Sequence, residues 1–478
     1  MMRKRPTTEV IEEDYRSTHT PTMTINSRRS LFLRLVAPTM FAATVLSICA
    51  RSVGASTTFS KSFSSTSLWL RGGDSIPRKK YRTLQVQIAH RHGDRTPITP
   101  LKDEQFWAKT LSSPELLEKI GDGTTIVRRG EAVAHSAGGR GPFGKLTQMG
   151  LFQMVEVGNK IRDELVTNQH NDFSQDENGH LCNRFLWDPS RPLHPKDIKI
   201  LSTDFPRTIQ SVQGVLIGIF PDGIEGNIDI DCQHTNWMIP DPQPRRSTEQ
   251  EELEKKLATR PHFLEREFEM RPLAVKCTEA VRDLLGDGAF AHVFGVGEEN
   301  ISSKPEHERT LSWAQLSEIT KCLKVRERLP PSITAEEQKA VMDHTAWRWF
   351  ESLRDPRLIH LAMHKFASTI VHSMRHYQEE PPLTIYSAHD STLIGLMCAF
   401  RLEQPSVWPE YGSYLKIELL EVTNADKIDG DEEKEHVVRF FLNGHLLRSM
   451  WDGEPREFTS LDLLFHKIKT EGAVNAIN

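Results

Sequence analysis

Apolar and polar residues alternate through Leu84, Val86 and Ile88, and the alternation breaks at a turn marked by Gly93 and Pro97. A period of two predicts a β-strand that ends there. Ile198–Leu201 and the continuous apolar run Leu383–Ala388 predict two more strands, and Ile228–Cys232, reading IDIDC, a fourth. Tyr414–Glu421 and Val437–Leu442 predict a closing pair. Between them the period changes to that of a helix. Leu151, Met154, Val155, Gly158, Ile161 and Leu165 fall on one face, as do Ile209, Val212, Leu216 and Ile219. Leu358–Tyr377 carries one apolar stripe from Ile359 to Met374, and Ser391–Phe400 is apolar throughout. Strands that alternate with helices predict an α/β fold: a mostly parallel central sheet flanked by helices.

Two stretches interrupt the alternation. Leu101–Gly141, with turn signals at Gly121-Asp122-Gly123 and Gly138-Gly139, reads as a long excursion. From Asp241 a Pro-rich turn leads into mixed-charge helical patterns, with Thr248 and Glu251 at capping-box spacing. Residues 241–354 are therefore expected to form a helical cap inserted between two parts of the core, 75–240 and 355–478. Residues 1–73 differ from the rest. Arg28 and Arg29 precede the apolar run Leu31–Ala50, Val53-Gly54-Ala55 suits a signal peptidase, and Arg51–Gly73 contains no acidic residue. This predicts a signal peptide or signal anchor followed by a linker, and hence the secretory pathway, with an organelle leader as the alternative.

At 478 residues the chain exceeds what one compact core usually serves. Its 38% hydrophobic and 8% aromatic content is that of a soluble globular protein. The net charge of -5 offers no field for nucleic acid or an anionic membrane, so any anion site must be local. Membrane contact is expected only through the leader. Cys182, Cys232, Cys277, Cys322 and Cys398 show no CxxC spacing, which argues against zinc and redox motifs. In an oxidising lumen they allow at most two bridges. Asn300-Ile301-Ser302 is a glycosylation acceptor that agrees with a luminal body. His360 with His364 and His372 with His376 have a chelating spacing on the long helix, but no HExxH carboxylate accompanies them, and no metal is expected.

The first predicted strand delivers Arg91, His92 and Arg95 to its carboxyl-end turn, where open α/β sheets bind ligands. Two guanidinium forks suit a doubly charged tetrahedral oxyanion, and a histidine between them can attack phosphorus. This chemistry points to phosphate esters. RHGDRTP, beginning at Arg91, resembles the RHGxRxP signature of the histidine acid phosphatases, the second branch of the histidine phosphatase superfamily. STDFPRT resembles the family's segment whose arginine, here Arg207, binds phosphate. YSAHDST resembles its second signature, which here supplies His389 and Asp390.

The resemblance covers Tyr81–Phe465 and is weakest in the cap. It implies a phosphoglycerate-mutase-like core and a metal-independent phosphomonoesterase without cofactors, acting on a small-molecule phosphate monoester. His92 is then the nucleophile and Asp390 the proton donor, with Arg91, Arg95, Arg207 and His389 holding the phosphoryl group. His92 must be neutral and Asp390 protonated, which requires a site that shifts both. An acidic optimum follows from the family alone. Within it, the excursion and the wording of YSAHD are most similar to the lysophosphatidic acid and 2-phosphoxylose phosphatases, which suggests a lysophospholipid or a sugar phosphate. A mutase or bisphosphatase of the same superfamily and a silent phosphate-binding scaffold stay open, although a glutamate usually follows RHG in the mutases. His90 departs from the apolar residue common before the signature, and a second imidazole there offers a way to tune the nucleophile.

Overall fold

The computed structural model describes residues 79–129, 140–165, 174–175, 181–183, 186, 194–233, 237–240, 247–286, 289, 294, 309–403, 406–424 and 434–470. The predicted leader, the Pro-rich turn after Pro240, the Asn300 triplet and Cys49 lie outside these described residues, as does the side chain of Cys182. Strand β1 (Lys79–Arg91) is followed by α1 (Glu104–Ala108), α2 (Pro114–Gly121) and β2 (Thr124–Arg129). Next come α3 (Gln148–Leu165), β3 (Ser174–Gln175), β4 (Leu181–Asn183), β5 (Ile198–Thr203), α4 (Pro206–Ile219) and β6 (Ile228–Gln233). Helices α5 (Thr248–Ala258), α6 (Pro261–Arg282), α7 (Trp313–Val325) and α8 (Ala335–Leu353) lead into α9 (Pro356–Arg375). Then follow β7 (Leu383–Ala388), α10 (Asp390–Ala399), β8 (Tyr414–Asn424), β9 (Glu435–Leu442), β10 (His445–Leu447), β11 (Thr459–Ser460) and α11 (Leu461–Thr470).

The sheet runs in the order β10-β9-β8-β1-β7-β5-β6-β2. From β1 to β2 the neighbours are parallel, and β8, β9 and β10 extend it antiparallel on the other side of β1. The fold is therefore a mixed, mostly parallel α/β sheet with helices. Strand alternation sorts the side chains into two layers. Val86, Ile88, Ile200, Ile230 and Ile385 pack under α3 and α4, whereas Ala89, Leu201 and Tyr386 pack against α9 and α10. Each large side chain buried this way is worth about 1.5–3 kcal/mol.

The excursion after β1 is more ordered than its turn signals suggest. Ser113 caps α2 by accepting from the Leu116 N–H, and Pro114 supplies the preset first-turn geometry. The β-branched Thr124-Thr125-Ile126-Val127 then pairs with β6 and forms one edge of the sheet. In α5 the cap is Ser247, which accepts from Gln250 N–H at 3.1 Å, so Thr248 is the first helical residue and the expected capping pair is displaced by one.

Helices α6, α7 and α8 share an apolar cluster with Leu101, Trp107 and Phe143 of the excursion, while Leu257 of α5 and Ala346, Phe350 and Leu353 of α8 join the layer under α9. Cys232, Cys277, Cys322 and Cys398 are free and buried, so the bridges that the count allowed do not form among these four. Among the described residues no helix is long and apolar enough to cross a membrane.

Candidate active site

Three adjacent parallel strands, β1, β7 and β5, bring the distant signatures together. His90 lies beside Ser387 and Ser387 beside Ser202, so the three strands reach their carboxyl ends in one row. Arg91 and His92 leave β1 there, His389 and Asp390 leave β7, and Arg207 sits in the first turn of α4 after β5. All six predicted residues, Arg91, His92, Arg95, Arg207, His389 and Asp390, line one cavity of about 360 Å³.

The turn after β1 is held from behind. A β-carbon on Gly93 would lie 2.2 Å from the Gly150 carbonyl oxygen, and one on Gly150 would lie 2.1 Å from the Asp94 carbonyl oxygen. Only glycines allow this approach of backbone to backbone. Asp94 is fully buried, with its Oδ2 accepting from Thr147 Oγ1 at 2.6 Å and paired to Arg326 at 2.7 Å. The segment LTQMG, to which the sequence assigns no catalytic role, thus braces the nucleophile turn.

His92 Nδ1 lies 2.8 Å from the Gly93 carbonyl oxygen. A carbonyl only accepts, so Nδ1 carries the proton and Nε2 keeps its lone pair. Burial, reinforced by the field of Arg207, Arg91, His389 and Arg95, moves the His92 pKa well below its ordinary 6.5. The ring therefore stays neutral in acid, as a nucleophile requires. His90 is buried on the Val86 and Ile88 face of the strand, outside the cavity lining, with Nδ1 3.1 Å from the Arg91 carbonyl oxygen. Burial lowers it to about 4. It packs beneath the site and does not touch the substrate cavity.

Arg91 is clamped on both sides of its fork: Nη1 donates to the Pro409 carbonyl oxygen at 2.6 Å, and Nη2 lies 2.7 Å from Asp390 Oδ2. Arg95 donates from Nη1 to Glu318 Oε2 at 2.9 Å. Glu318 also accepts from the Ile98 and Thr99 N–H groups, so one carboxylate fixes both the arginine and the loop behind it. The Arg207 guanidinium lies 4.5 Å from the centre of the Phe205 ring. Burial and then neighbouring Arg95 bring its pKa down to about 9. The charged lining comprises Arg91, Arg95, Arg207 and Lys321 against Glu318 and Asp390. With neutral histidines this leaves a double positive charge, matched to a phosphoryl dianion.

Asp390 accepts from Ser391 N–H at 2.9 Å through Oδ1 and from Trp408 Nε1–H at 3.0 Å through Oδ2. Burial pushes this carboxyl up, but Arg91, then Arg95 and His389, outweigh it and hold the group below its ordinary range. The protein's own charges therefore favour the ionised form of Asp390, the opposite direction to the shift a proton donor needs. His389 Nε2 stands 3.0 Å from Thr203 Oγ1, and burial together with Arg207 keeps its ring neutral.

Two parts of the site escaped the sequence. One is the loop after Val407: Trp408 contacts Asp390, the Tyr411 ring stacks 4.2 Å from the Arg91 guanidinium, Gly412 N–H donates to the His92 carbonyl, and Arg91 N–H donates to that of Ser413. The other is α7, whose Glu318, Lys321 and Cys322, with Arg326 at its C-cap, share a face turned to the nucleophile turn. Lys321 pairs with Glu410 at 2.7 Å and has its pKa lowered to about 8, by burial and then by Arg91. The detectable signal was a row of polar residues at helical spacing in a buried helix. The rings of His360 and His364, and of His372 and His376 at the end of α9, lie 4.3 and 4.2 Å apart between centroids and are tilted by 35° and 38°. Among the described residues no three metal-binding side chains cluster.

The profile of the histidine phosphatase superfamily (branch 2) matches residues 84–259 and 329–443, more than half of the chain. The chain belongs to this superfamily. Counting factor 60 of Dictyostelium discoideum is 24% identical over 378 residues, 75% of this chain and 79% of that protein. A probable acid phosphatase of the same organism is 23% identical over 377 residues, 76% and 70% of the two chains. Lysosomal acid phosphatase of Bos taurus is 28% identical over 152 residues, 31% of this chain and 25% of that protein. The Hafnia alvei phytase shares the fold, with a TM-score of 0.51 at 12% identity over 81% of this chain and 96% of its own. This histidine phosphatase is accordingly an acid phosphatase, a hydrolase of phosphate monoesters. The gap in the family match, 260–328, contains all of α7, so the residues with which α7 braces this histidine phosphatase lie outside the matched regions.

Proposed function

We propose that this phosphatase works through a phosphohistidine on His92 with Asp390 as proton donor, and that its substrate carries an apolar body. The observation that carries the reading is the Nδ1 contact of His92 with its neighbour's carbonyl, which leaves Nε2 as the free nucleophile. Arg91, Arg95 and Arg207 would hold the equatorial oxygens and offset their growing charge. His389 would complete the phosphoryl site beside them, its Nε2–H donating to Thr203 Oγ1, whose own hydroxyl donates to Thr208 Oγ1. As Nε2 bonds to phosphorus, the ester P–O bond breaks and the leaving oxygen takes the proton of Asp390. Asp390 then takes a proton from water, the resulting hydroxide attacks phosphorus, the N–P bond breaks and phosphate leaves.

Asp390 is ionised by Arg91 and Arg95, and a bound phosphoryl group opposes those same cations. Its charge raises Asp390 towards the protonated form, and an ester monoanion brings a proton with it in acid. Both effects favour acidic turnover.

Beyond the arginines the wall includes Ile98, Ile239, Met342, Trp349 and Trp408 beside the polar Thr99, Gln315 and Ser317, and among the described residues Lys321 is the only further cation in the lining. That composition favours a lysophospholipid such as lysophosphatidic acid over a sugar phosphate, and it disfavours a polyphosphorylated ligand.

The test is hydrolysis of p-nitrophenyl phosphate by the full chain with EDTA present, beside His92→Ala and Asp390→Asn, together with acid-quench-sensitive, base-stable labelling by a phosphate-labelled ester. Activity and label that disappear in His92→Ala support the mechanism. An inactive wild type, or a mutant that keeps the label, overturns it. A higher kcat/KM for lysophosphatidic acid than for a sugar phosphate supports the substrate class, and the reverse order removes it.

A further inference from the structure

Asp390 Oδ2 receives two donors from outside its own helix, Arg91 Nη2 at 2.7 Å and Trp408 Nε1–H at 3.0 Å. Oδ1 receives one, the Ser391 N–H at 2.9 Å. A carboxylate oxygen has two in-plane lone pairs, so Oδ2 is saturated and Oδ1 has one position left. Trp408 is placed for this from both sides. Its ring meets Trp349 of α8 edge to face at 6.4 Å, and the next residue offers the carbonyl that clamps Arg91.

Resting on the assignment of Asp390 as proton donor, we propose that Trp408 is a positioning residue. With Arg91 it fills Oδ2, so that the transferable proton must sit on Oδ1 and leave from a single atom in a single direction. During the first chemical step this proton passes from Oδ1 to the leaving oxygen as the P–O bond breaks, and Asp390 becomes a carboxylate whose Oδ2 still holds both donors. Without the indole N–H, Oδ2 regains a free lone pair and the proton divides between the two oxygens.

Protonation of the departing oxygen matters most for poor leaving groups, where a general acid contributes about 10²–10⁴-fold. A good leaving group departs without it. The experiment compares kcat/KM of the full-length protein for p-nitrophenyl phosphate and for the alkyl ester β-glycerophosphate, in wild type, Asp390→Asn, Trp408→Phe and Trp408→His. Phe keeps the aromatic body and removes the N–H, whereas His restores a ring N–H donor. Trp408→Phe should lose on the order of 10-fold more on the alkyl ester than on the aryl ester, a smaller version of the Asp390→Asn pattern. Trp408→His should recover part of the alkyl loss.

Equal losses on both esters in Trp408→Phe, or none on either, would overturn the role, since a merely structural side chain affects both substrates alike. Retention of p-nitrophenyl phosphate activity by His92→Ala would instead sink the underlying mechanism. The Asp390→Asn ratio, read alone, reports whether that residue is the donor at all.

Discussion

Arg91 and Asp390 belong to opposite ends of the chain, yet Arg91 Nη2 stands 2.7 Å from Asp390 Oδ2, with both side chains largely buried. One fork thus holds the proposed proton donor, and its other arm is tied to the Pro409 carbonyl oxygen. Lysine has a single ammonium and reaches only one of these partners. Arg91→Lys is expected to lower kcat/KM by about 10²-fold, the cost of a removed transition-state donor, and to free Asp390 to titrate closer to its ordinary value. A pH profile whose alkaline limb, where the donor loses its proton, shifts upward in the mutant checks this.

Glu318 accepts three hydrogen bonds, from Arg95, Ile98 and Thr99. Glu318→Gln turns one acceptor oxygen into a donor facing an N–H, which costs about 1–3 kcal/mol in urea unfolding. Arg95 also loses its fixed counter-charge, so inorganic phosphate should inhibit less tightly, by on the order of 10-fold, while kcat changes less. Unchanged phosphate inhibition would show that Arg95 is held by the rest of the cavity.

Gly93→Ala places its new carbon 2.2 Å from a backbone oxygen of Gly150. Backbone cannot move aside as a flexible side chain does, so the loss is expected at about 3 kcal/mol or more, with activity lost in parallel. Thermal unfolding of the mutant beside wild type measures it.

His90 shows the pH sign. Burial lowers its pKa from 6.5 to about 4, so between those values the unfolded chain binds a proton that the folded chain refuses. Stability therefore falls as pH drops through that window, by roughly 3 kcal/mol for this group. His92 and His389 are lowered in the same direction and steepen the loss. In His90→Gln the fall in urea midpoint between pH 7 and pH 4 should be smaller than in wild type.

Hydrophobic periodicity alone determined much of this protein. A strand shows period two and a helix a period near 3.6 wherever one face is buried, so β1, β5, β7, α3, α4 and α9 were legible, as were the turns that carry Arg91, His92, Arg207, His389 and Asp390. Those turns obey a local rule: a buried parallel strand must end in a polar turn. The excursion was less legible because its helices and edge strand are short and its turn residues dominate the pattern. What no local pattern contains is strand order. Only the pairing of β7 between β1 and β5 brings the three turns to one cavity, and that pairing depends on contacts between residues far apart in sequence. The same holds for Trp408, Glu318 and Lys321. Each is an ordinary polar or aromatic residue in its own segment, and each acquires its role from a charge or hydrogen bond that tertiary packing supplies. The electrostatics follow suit: the arginines that the fold sets beside them lower both Asp390 and His92, while the removal of water adds to the shift at His92 and opposes it at Asp390.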